Sequence, residues 1–152
     1  MAEWLPLVVK PWSKRAELTG HRLSVEIDLS RPQPAVSADV SALKQVLDNL
    51  LGNAIEFSTP ATDIRIAARI DGDSLIIAVQ DQGIGLLPGQ IEKVFEQFYQ
   101  VDGSTTRRFG GMGIGLALCQ EIMEAHGGRI WAESAGQGRG STFWCALPLT
   151  VP

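Results

Sequence analysis

The spacing of apolar residues predicts two helices in the first part of the chain. Residues 3–19 have a helical pattern, and Pro11 within them is expected to kink or split the helix because proline lacks a backbone donor. Between residues 40 and 57, apolar side chains recur every three or four positions, which predicts a long helix with one core-facing side. Asp39 directly precedes it and is the expected N-cap.

Two further helices are predicted in the second half. A short one is expected around residues 90–98. A longer one begins near Ile114 and ends at His126, where Gly127 and Gly128 suit a left-handed C-terminal cap.

Alternating apolar and polar positions predict the strands. Residues 64–70 and 74–79 should form a hairpin around Asp71-Gly72, a dipeptide that favours tight turns. Strands are also expected at 21–29, 129–133 and 142–147, with a turn at 31–34 and a short strand at 35–37. Together these elements predict an α+β fold, with one mixed sheet and helices layered on one face.

Composition narrows the class of protein. The chain has 152 residues, enough for one domain with its own core, and a formal net charge of −4. That charge argues against a nucleic-acid or anionic-membrane surface, because both need clustered Lys and Arg. We find no signal-peptide pattern and no apolar run of bilayer length. Cys119 and Cys145 lack metal-site or redox spacing, so we expect reduced core thiols in a cytosolic protein.

A polar stripe lies opposite the apolar face of the helix over residues 40–57. Two carboxamides four residues apart, with a glycine clearing space between them, suit an oxygen-rich ligand or hydrated Mg²⁺. A solvated helix face is the alternative interpretation. The stripe consists of Gln45, Asn49, Gly52, Asn53 and Glu56.

A carboxylate and two glycines follow the predicted strand at 74–79. Asp81 can accept a hydrogen bond from an exocyclic amine, which favours adenine over guanine. Gly83 and Gly85 allow a sharp turn and close approach to a ring. An ordinary turn after a strand is the alternative.

A glycine-rich segment opens directly into the helix near residue 114. Clustered glycines at a helix N-terminus expose backbone amides, which together with the helix dipole can bind phosphate; a hinge is the alternative. The segment at 110–116 fits neither the P-loop nor the dinucleotide-binding pattern. The preceding polar stretch, 101–110, carries Arg107 and Arg108 and is predicted to be a lid over phosphates or else a solvated loop.

In this order the segments resemble the catalytic domain of sensor histidine kinases, within the GHKL nucleotide-binding family. The resemblance covers about residues 20–147. The similar segments are 43–54 (asparagine box), 81–85 (first glycine box), 94–99 (phenylalanine box), 111–116 (second glycine box), 126–128 and 138–143.

The resemblance implies a two-layer α/β sandwich of the Bergerat type that binds ATP and Mg²⁺. Residues 20–152 would be the catalytic domain, and residues 1–19 a helical segment leading from a missing dimerisation domain. Asn53 would ligate Mg²⁺, Asp81 would accept from the adenine amine, and Phe57 would pack beside the ring. Asn49 and Asn53 would be the catalytic pair. The implied nucleotide-binding set is Asn49, Asn53, Phe57, Asp81, Gly83, Gly85, Arg107, Arg108, Gly111, Gly113, Gly115, Leu116 and, near the adenine end, Thr142.

The implied reaction is transfer of the ATP γ-phosphoryl group to a histidine on a separate dimerisation domain and, through it, to a response regulator. By this resemblance, gyrase-type ATPases have a water-activating glutamate at the position that matches Asn49. Asparagine cannot act as a general base, which favours a kinase over a hydrolase. Glu56 stands where many relatives have a cation, so weak ATP affinity is expected. His21 precedes a strand and His126 ends a helix, so neither is expected to be the phosphoacceptor.

Two alternatives remain open at this point. One is a non-catalytic nucleotide-sensing module, and the other is a free-standing serine kinase resembling the anti-sigma factors of the same superfamily. In every case we expect a cytoplasmic, monomeric isolated domain without nucleic-acid or direct membrane contact.

Overall fold

The computed structural model describes residues 3–29, 36–96 and 115–150. Its helices are α1 (Trp4–Leu18), α2 (Val40–Phe57) and α3 (Gly115–Ala125). Its strands are β1 (Arg22–Asp28), β2 (Asp63–Asp71), β3 (Ser74–Asp81), β4 (Arg129–Glu133) and β5 (Ser141–Pro148).

The strands form one mixed sheet in the order β1-β2-β3-β5-β4. β1 runs parallel to β2, whereas the other neighbouring pairs are antiparallel. Alternate residues of the strands, such as Ile66, Ile77 and Val79, face a core shared with the helices. Leu50 of α2 and Met123 of α3 lie in the same core, which confirms the predicted α+β fold with helices on one face of the sheet.

Helix α2 has the predicted bounds and cap. Asp39 Oδ1 accepts a hydrogen bond from the Ala42 backbone N–H at 3.1 Å, which satisfies one donor that the first helical turn leaves open. The buried side chains of the helix recur at helical spacing: Leu43, Val46, Leu47, Leu50, Leu51 and Ala54.

Helix α1 is continuous through Pro11, so a split at this residue is wrong, whereas a kink there stays a prediction. Pro11 and Leu7, four residues earlier, both lie on the exposed side, so the carbonyl that loses its helical donor remains accessible to water. The opposite side of α1, including Leu5, Val9 and Ala16, is buried in the core. This segment therefore packs on the domain, while its boundary at residues 19–20 stays a prediction.

The predicted short helix is instead two 3₁₀ turns, Pro88–Gln90 and Lys93–Phe95. Hydrogen bonds between residues three apart close them, from Gln90 N to Leu87 O and from Glu96 N to Lys93 O. Residues 36–37 lie outside any strand, so that part of the predicted strand at 35–37 is wrong. The predicted turn at 31–34 and loop at 101–110 lie outside the described residues.

Both cysteines are free and buried, as predicted for core thiols. Burial raises the pKa of the Cys119 thiol to about 12 and also raises that of Cys145. Within the three described ranges, no helix combines the length and the apolar character needed to cross a bilayer.

Candidate functional site

The last residue of β3 is a buried carboxylate. Asp81 is 7% exposed, and its Oδ1 accepts hydrogen bonds from the backbone N–H groups of Gly83 (2.9 Å) and Ser141 (3.1 Å). None of the described residues donates to its other oxygen, Oδ2. Burial raises the pKa of Asp81 to about 6, although both backbone hydrogen bonds act in the opposite direction. The carboxylate is thus fixed through Oδ1, while Oδ2 has no donor among the residues that the structure describes.

Glycines bring neighbouring backbone segments against this carboxylate. A Cβ at Gly83 would lie 2.2 Å from the Phe57 carbonyl oxygen, so the C-terminus of α2 can approach only a glycine there. Gly85 has φ +69°, and a Cβ on it would lie 2.1 Å from the carbonyl oxygen of Gly136. Glycine is therefore required at both positions, as predicted. The groups that approach these glycines in the structure are backbone carbonyls.

A serine that sequence reasoning missed ties the β4–β5 loop to the loop after β3. Ser134 Oγ accepts from Leu86 N–H at 2.9 Å and donates to the Gly140 carbonyl at 2.7 Å. Gly138 N–H also donates to the Ile84 carbonyl at 2.7 Å. A single serine in a glycine-rich loop gives little sequence signal, because serine is common in turns generally.

A cavity opens beside Asp81 between α2, the loop after β3 and α3. Apolar side chains dominate its lining, and Asp81 is its acidic group. Phe143, one of the lining residues, is backed by Phe95 in an edge-to-face contact with ring centroids 6.2 Å apart. The lining residues are Asn53, Phe57, Asp81, Ile84, Gly85, Leu86, Val94, Leu116, Ser141 and Phe143.

Half of that lining was predicted from the sequence: Asn53, Phe57, Asp81, Gly85 and Leu116. Sequence reasoning missed the others: Ile84, Leu86, Val94, Ser141 and Phe143. Most of the missed residues are apolar, and their pattern could not be separated from that of ordinary core positions.

The structure does not bring Thr142 to this cavity. Successive side chains of a strand point to opposite faces, and Ser141 and Phe143 of β5 face the cavity. Thr142 lies instead on the open face of the sheet, in a groove that also contains Gln80 and Trp144. Ser141 therefore occupies the place that the sequence interpretation gave to Thr142, one residue away.

The second amide of α2 lies at the start of α3. Asn49 Nδ2 donates to the Gln45 carbonyl at 3.0 Å. A Cβ at Gly115 would lie 2.7 Å from Asn49 Oδ1, so the glycine allows α3 to begin against this side chain. Asn49 thus adjoins the N-terminus of α3, and Asn53 lines the same cavity as Leu116 of that helix. Arg107, Arg108, Gly111 and Gly113 lie outside the described residues.

The polar stripe of α2 contacts two other helices: Asn49 lies against the start of α3, and Gly52 lies against α1. Gly52 faces the ring of Trp12 in α1, since a Cβ on it would lie 3.4 Å from Trp12 Cη2. The indole Nε1–H donates to Asp48 Oδ1 at 2.7 Å. The prediction that Gly52 clears space for a ligand is therefore wrong, because the space is filled by an aromatic ring of the same chain.

Residues 38–151 match the model of the family described as "Histidine kinase-, DNA gyrase B-, and HSP90-like ATPase". The chain belongs to this family. Over 115 residues it is 41% identical to "Sensor histidine kinase WalK" of Bacillus subtilis (strain 168), a match that covers 74% of the chain and 19% of WalK. The chain therefore spans about a fifth of the length of this curated relative.

Solved histidine kinase structures have the same fold. The catalytic domain of ThkA superposes with a TM-score of 0.80 at 28% identity, covering 97% of this chain and 91% of that one. Full-length ShkA in complex with AMPPNP superposes with a TM-score of 0.81 at 31% identity, covering 99% of this chain and 30% of ShkA. ThkA in complex with the response regulator TrrA gives 0.79 at 26%, covering 99% and 40%. The resemblance to histidine kinase catalytic domains is confirmed.

Both histidines of this family member are engaged in hydrogen bonds within the domain. His21 is 6% exposed, with Nδ1 2.8 Å from Thr19 Oγ1 and Nε2 3.3 Å from the Ser58 carbonyl oxygen. His126 Nδ1 lies 2.6 Å from the Ile122 carbonyl, and its Nε2 accepts from the Asp39 backbone N–H at 3.0 Å. Because all four ring nitrogens have partners, neither histidine presents a free nucleophilic nitrogen.

Proposed function

We propose that this domain binds ATP in the cavity beside Asp81 and transfers the γ-phosphoryl group to a histidine on a separate dimerisation domain. One observation carries the nucleotide assignment. A buried carboxylate is fixed through Oδ1 by two backbone donors and keeps Oδ2 as an open acceptor within an apolar cavity. That arrangement suits a flat, mostly apolar ring with one exocyclic amine.

Adenine fits that description better than the other purines. Its 6-amino group would donate to Asp81 Oδ2, whereas guanine and hypoxanthine have a carbonyl at the same position that would repel the carboxylate. Phe57 and Ile84 supply apolar lining for the ring faces. Ser141, held beside Asp81 through its own backbone N–H, is a further candidate for contact with the base.

The phosphates would extend toward the two amides of α2 and the N-terminus of α3. Helix N-termini attract anions, and Gly115 lets this one start against Asn49. Within the described part of the chain, no group of three or more His, Cys, Asp or Glu side chains forms a metal cage. Mg²⁺, which keeps water ligands and binds nucleotide phosphates, would therefore be held through the Asn53 amide oxygen and would neutralise phosphate charge. The complex of full-length ShkA with AMPPNP supports nucleotide binding by this family of domains.

Transfer is favoured over hydrolysis by two features of the chain. Asn49 has no group that titrates near neutrality and cannot activate water as a general base. Both histidines already have partners at their ring nitrogens, so the acceptor has to come from another domain. We accordingly infer a cytoplasmic kinase domain that acts on a helical dimerisation domain and serves a response regulator. The ThkA–TrrA complex supports the response regulator as a partner. The assigned roles of Gly83, Gly111, Gly113, Arg107 and Arg108 stay predictions.

Calorimetric titration with a non-hydrolysable ATP analogue tests the nucleotide site. Wild type should bind saturably and more tightly with Mg²⁺. Asp81→Asn should lose most of the affinity, and Asn53→Ala should lose mainly the increment that depends on Mg²⁺. Folded wild-type protein that does not bind the analogue would contradict the proposal.

A transfer assay separates the kinase from the alternatives. The domain is mixed with the helical histidine domain of the same kinase and γ-labelled ATP, and the product is exposed to acid. Acid-labile label on the helical domain supports a histidine kinase. Nucleotide binding without transfer would support a sensing module instead, and acid-stable label on a serine would support a serine kinase.

A further inference from the structure

Helix α1 contacts α2 on the side adjoining Asn49 and Asn53. The Trp12 ring lies over Gly52, and its Nε1–H donates to Asp48 Oδ1. Lys44 Nζ contacts the other oxygen of the same carboxylate at 2.6 Å. Because Gly52 has no side chain, the Trp12 ring can pack directly against α2. This contact and the hydrogen bond to Asp48 fix the position of α1 along α2.

Arg15 and Glu56 each lie one helical turn beyond this contact, Arg15 on α1 and Glu56 on α2. Arg15 is one helical turn after Trp12, and its guanidinium carbon lies 5.0 Å from the indole centroid. Glu56 is one turn after Gly52 on the facing helix, and it is partly buried. Burial raises the pKa of Glu56, and the charge of Arg15 opposes that shift. The charges of Arg15 and Glu56 therefore interact across the α1–α2 contact, although the two side chains do not form a direct ion pair.

Glu56 is also a neighbour of the proposed metal ligand. Residues three apart on a helix lie on the same face, and Glu56 follows Asn53 by three. An uncompensated carboxylate at that position would repel a polyphosphate. The sequence alone predicts weak ATP affinity for this reason, because it does not reveal which cation lies near Glu56 in the folded domain.

We propose that Arg15 of α1 is a positioning residue for the nucleotide site, where it neutralises Glu56 and so allows phosphates to bind beside Asn53. This inference rests on the proposed function. It makes α1 part of the binding apparatus as well as part of the core, and it assigns the compensating cation to a helix outside the recognisable nucleotide motifs. Trp12 holds the guanidinium in place through the cation–π contact.

The expected effect is small to moderate because Arg15 is exposed and Glu56 is only partly buried. Removing the positive charge of Arg15 should weaken binding of a non-hydrolysable Mg-ATP analogue about two- to fivefold at low salt. The loss should shrink at roughly 0.5 M salt, since screening then acts over only a few ångströms.

The experiment is a double-mutant cycle on that affinity, measured by calorimetry on the intact chain. The variants are Arg15→Gln, Glu56→Gln and the double variant. Lys14→Gln is the matched control, because it removes one exposed positive charge from the adjacent position of the same helix. Thermal unfolding of each variant reports whether α1 remains docked.

The proposal predicts that Arg15→Gln weakens binding in the presence of Glu56 but by less than about twofold in the Glu56→Gln background. Lys14→Gln should likewise have less than about a twofold effect. An equal loss in both backgrounds would mean that Arg15 acts through helix packing, and it would overturn the proposal, as would no loss at all. Asp81→Asn is measured in parallel: if wild type does not bind, or if Asp81→Asn binds as wild type does, the proposed function itself fails.

Discussion

Replacing Asp81 with asparagine should stabilise the unliganded domain while weakening its binding of adenine nucleotides. Asparagine has nearly the same shape, and its carbonyl oxygen can keep the hydrogen bonds that Oδ1 accepts from Gly83 and Ser141. What the substitution removes is the buried negative charge. Such a charge is costly at neutral pH because the two backbone donors offset only part of its desolvation.

The magnitude follows from the raised pKa. The value moves from 3.8 to about 6, so the native state keeps its proton in a range where the unfolded chain has lost it. The wild-type contribution to stability is full below pH 3.8, declines as pH rises and is lost above about 6, a change of about 3 kcal/mol. Asp81→Asn does not titrate, so its advantage over wild type should grow from near zero at pH 4 to about 3 kcal/mol at pH 8.

Urea unfolding at several pH values between 4 and 8, without nucleotide, measures this difference. At pH 8 the variant should also melt about 6–12 °C higher than wild type, for a domain of this size. The same concentration of Mg-ATP analogue should then stabilise wild type more than the variant. The reasoning is refuted if the variant is no more stable at pH 8, or if the difference between the two proteins does not change with pH.

Three further predictions concern the surroundings of the site. Gly140→Ala should destabilise the fold by about 3 kcal/mol in chemical denaturation, because its φ is +71° and its Cβ would lie 2.1 Å from a backbone carbonyl of β3. Gly72→Ala, with φ +60° and open space, is the matched control and should cost only about 1 kcal/mol. Ser134→Ala should lower the free energy of unfolding by about 2 kcal/mol and weaken analogue binding, because Leu86 N–H and the Gly140 carbonyl lose their shared hydrogen-bond partner. An unchanged melting temperature would contradict this prediction. Cys119 and Cys145 should react with iodoacetamide at pH 8 only when the domain unfolds, which mass spectrometry can follow; rapid labelling of native protein would show that the thiols are not sealed.

The sequence was most informative where local physics dominates. The bounds of α2 and its Asp39 cap followed from periodicity and capping chemistry, and the hairpin followed from Asp71-Gly72. Asp81 could be singled out because it ends an apolar strand and is followed by two glycines, although an ordinary turn after a strand has the same pattern. In each case neighbouring residues along the chain contained the signal.

Contacts between distant segments were less predictable. Gly52 was interpreted as room for a ligand, but Trp12, forty residues earlier, fills that room. Thr142 was placed in the site although the alternation of β5 turns Ser141 inward instead, and only the register with β3 settles which residue faces Asp81. Sequence spacing does not reveal which helix packs on a given glycine or which face of a strand points toward the cavity. Both depend on tertiary packing.

The specificity of the site for its base tests the central claim most directly. A non-hydrolysable ATP analogue and the matching inosine analogue, which has a carbonyl in place of the 6-amino group, are titrated into wild type and Asp81→Asn. Wild type should prefer the adenine analogue by at least about tenfold, because the carboxylate accepts from the amine and repels the carbonyl. In the variant, the side-chain amide nitrogen that replaces Oδ2 is a donor, so the preference should vanish or reverse. The same preference in both proteins would contradict the assignment of Asp81 as the residue that recognises adenine.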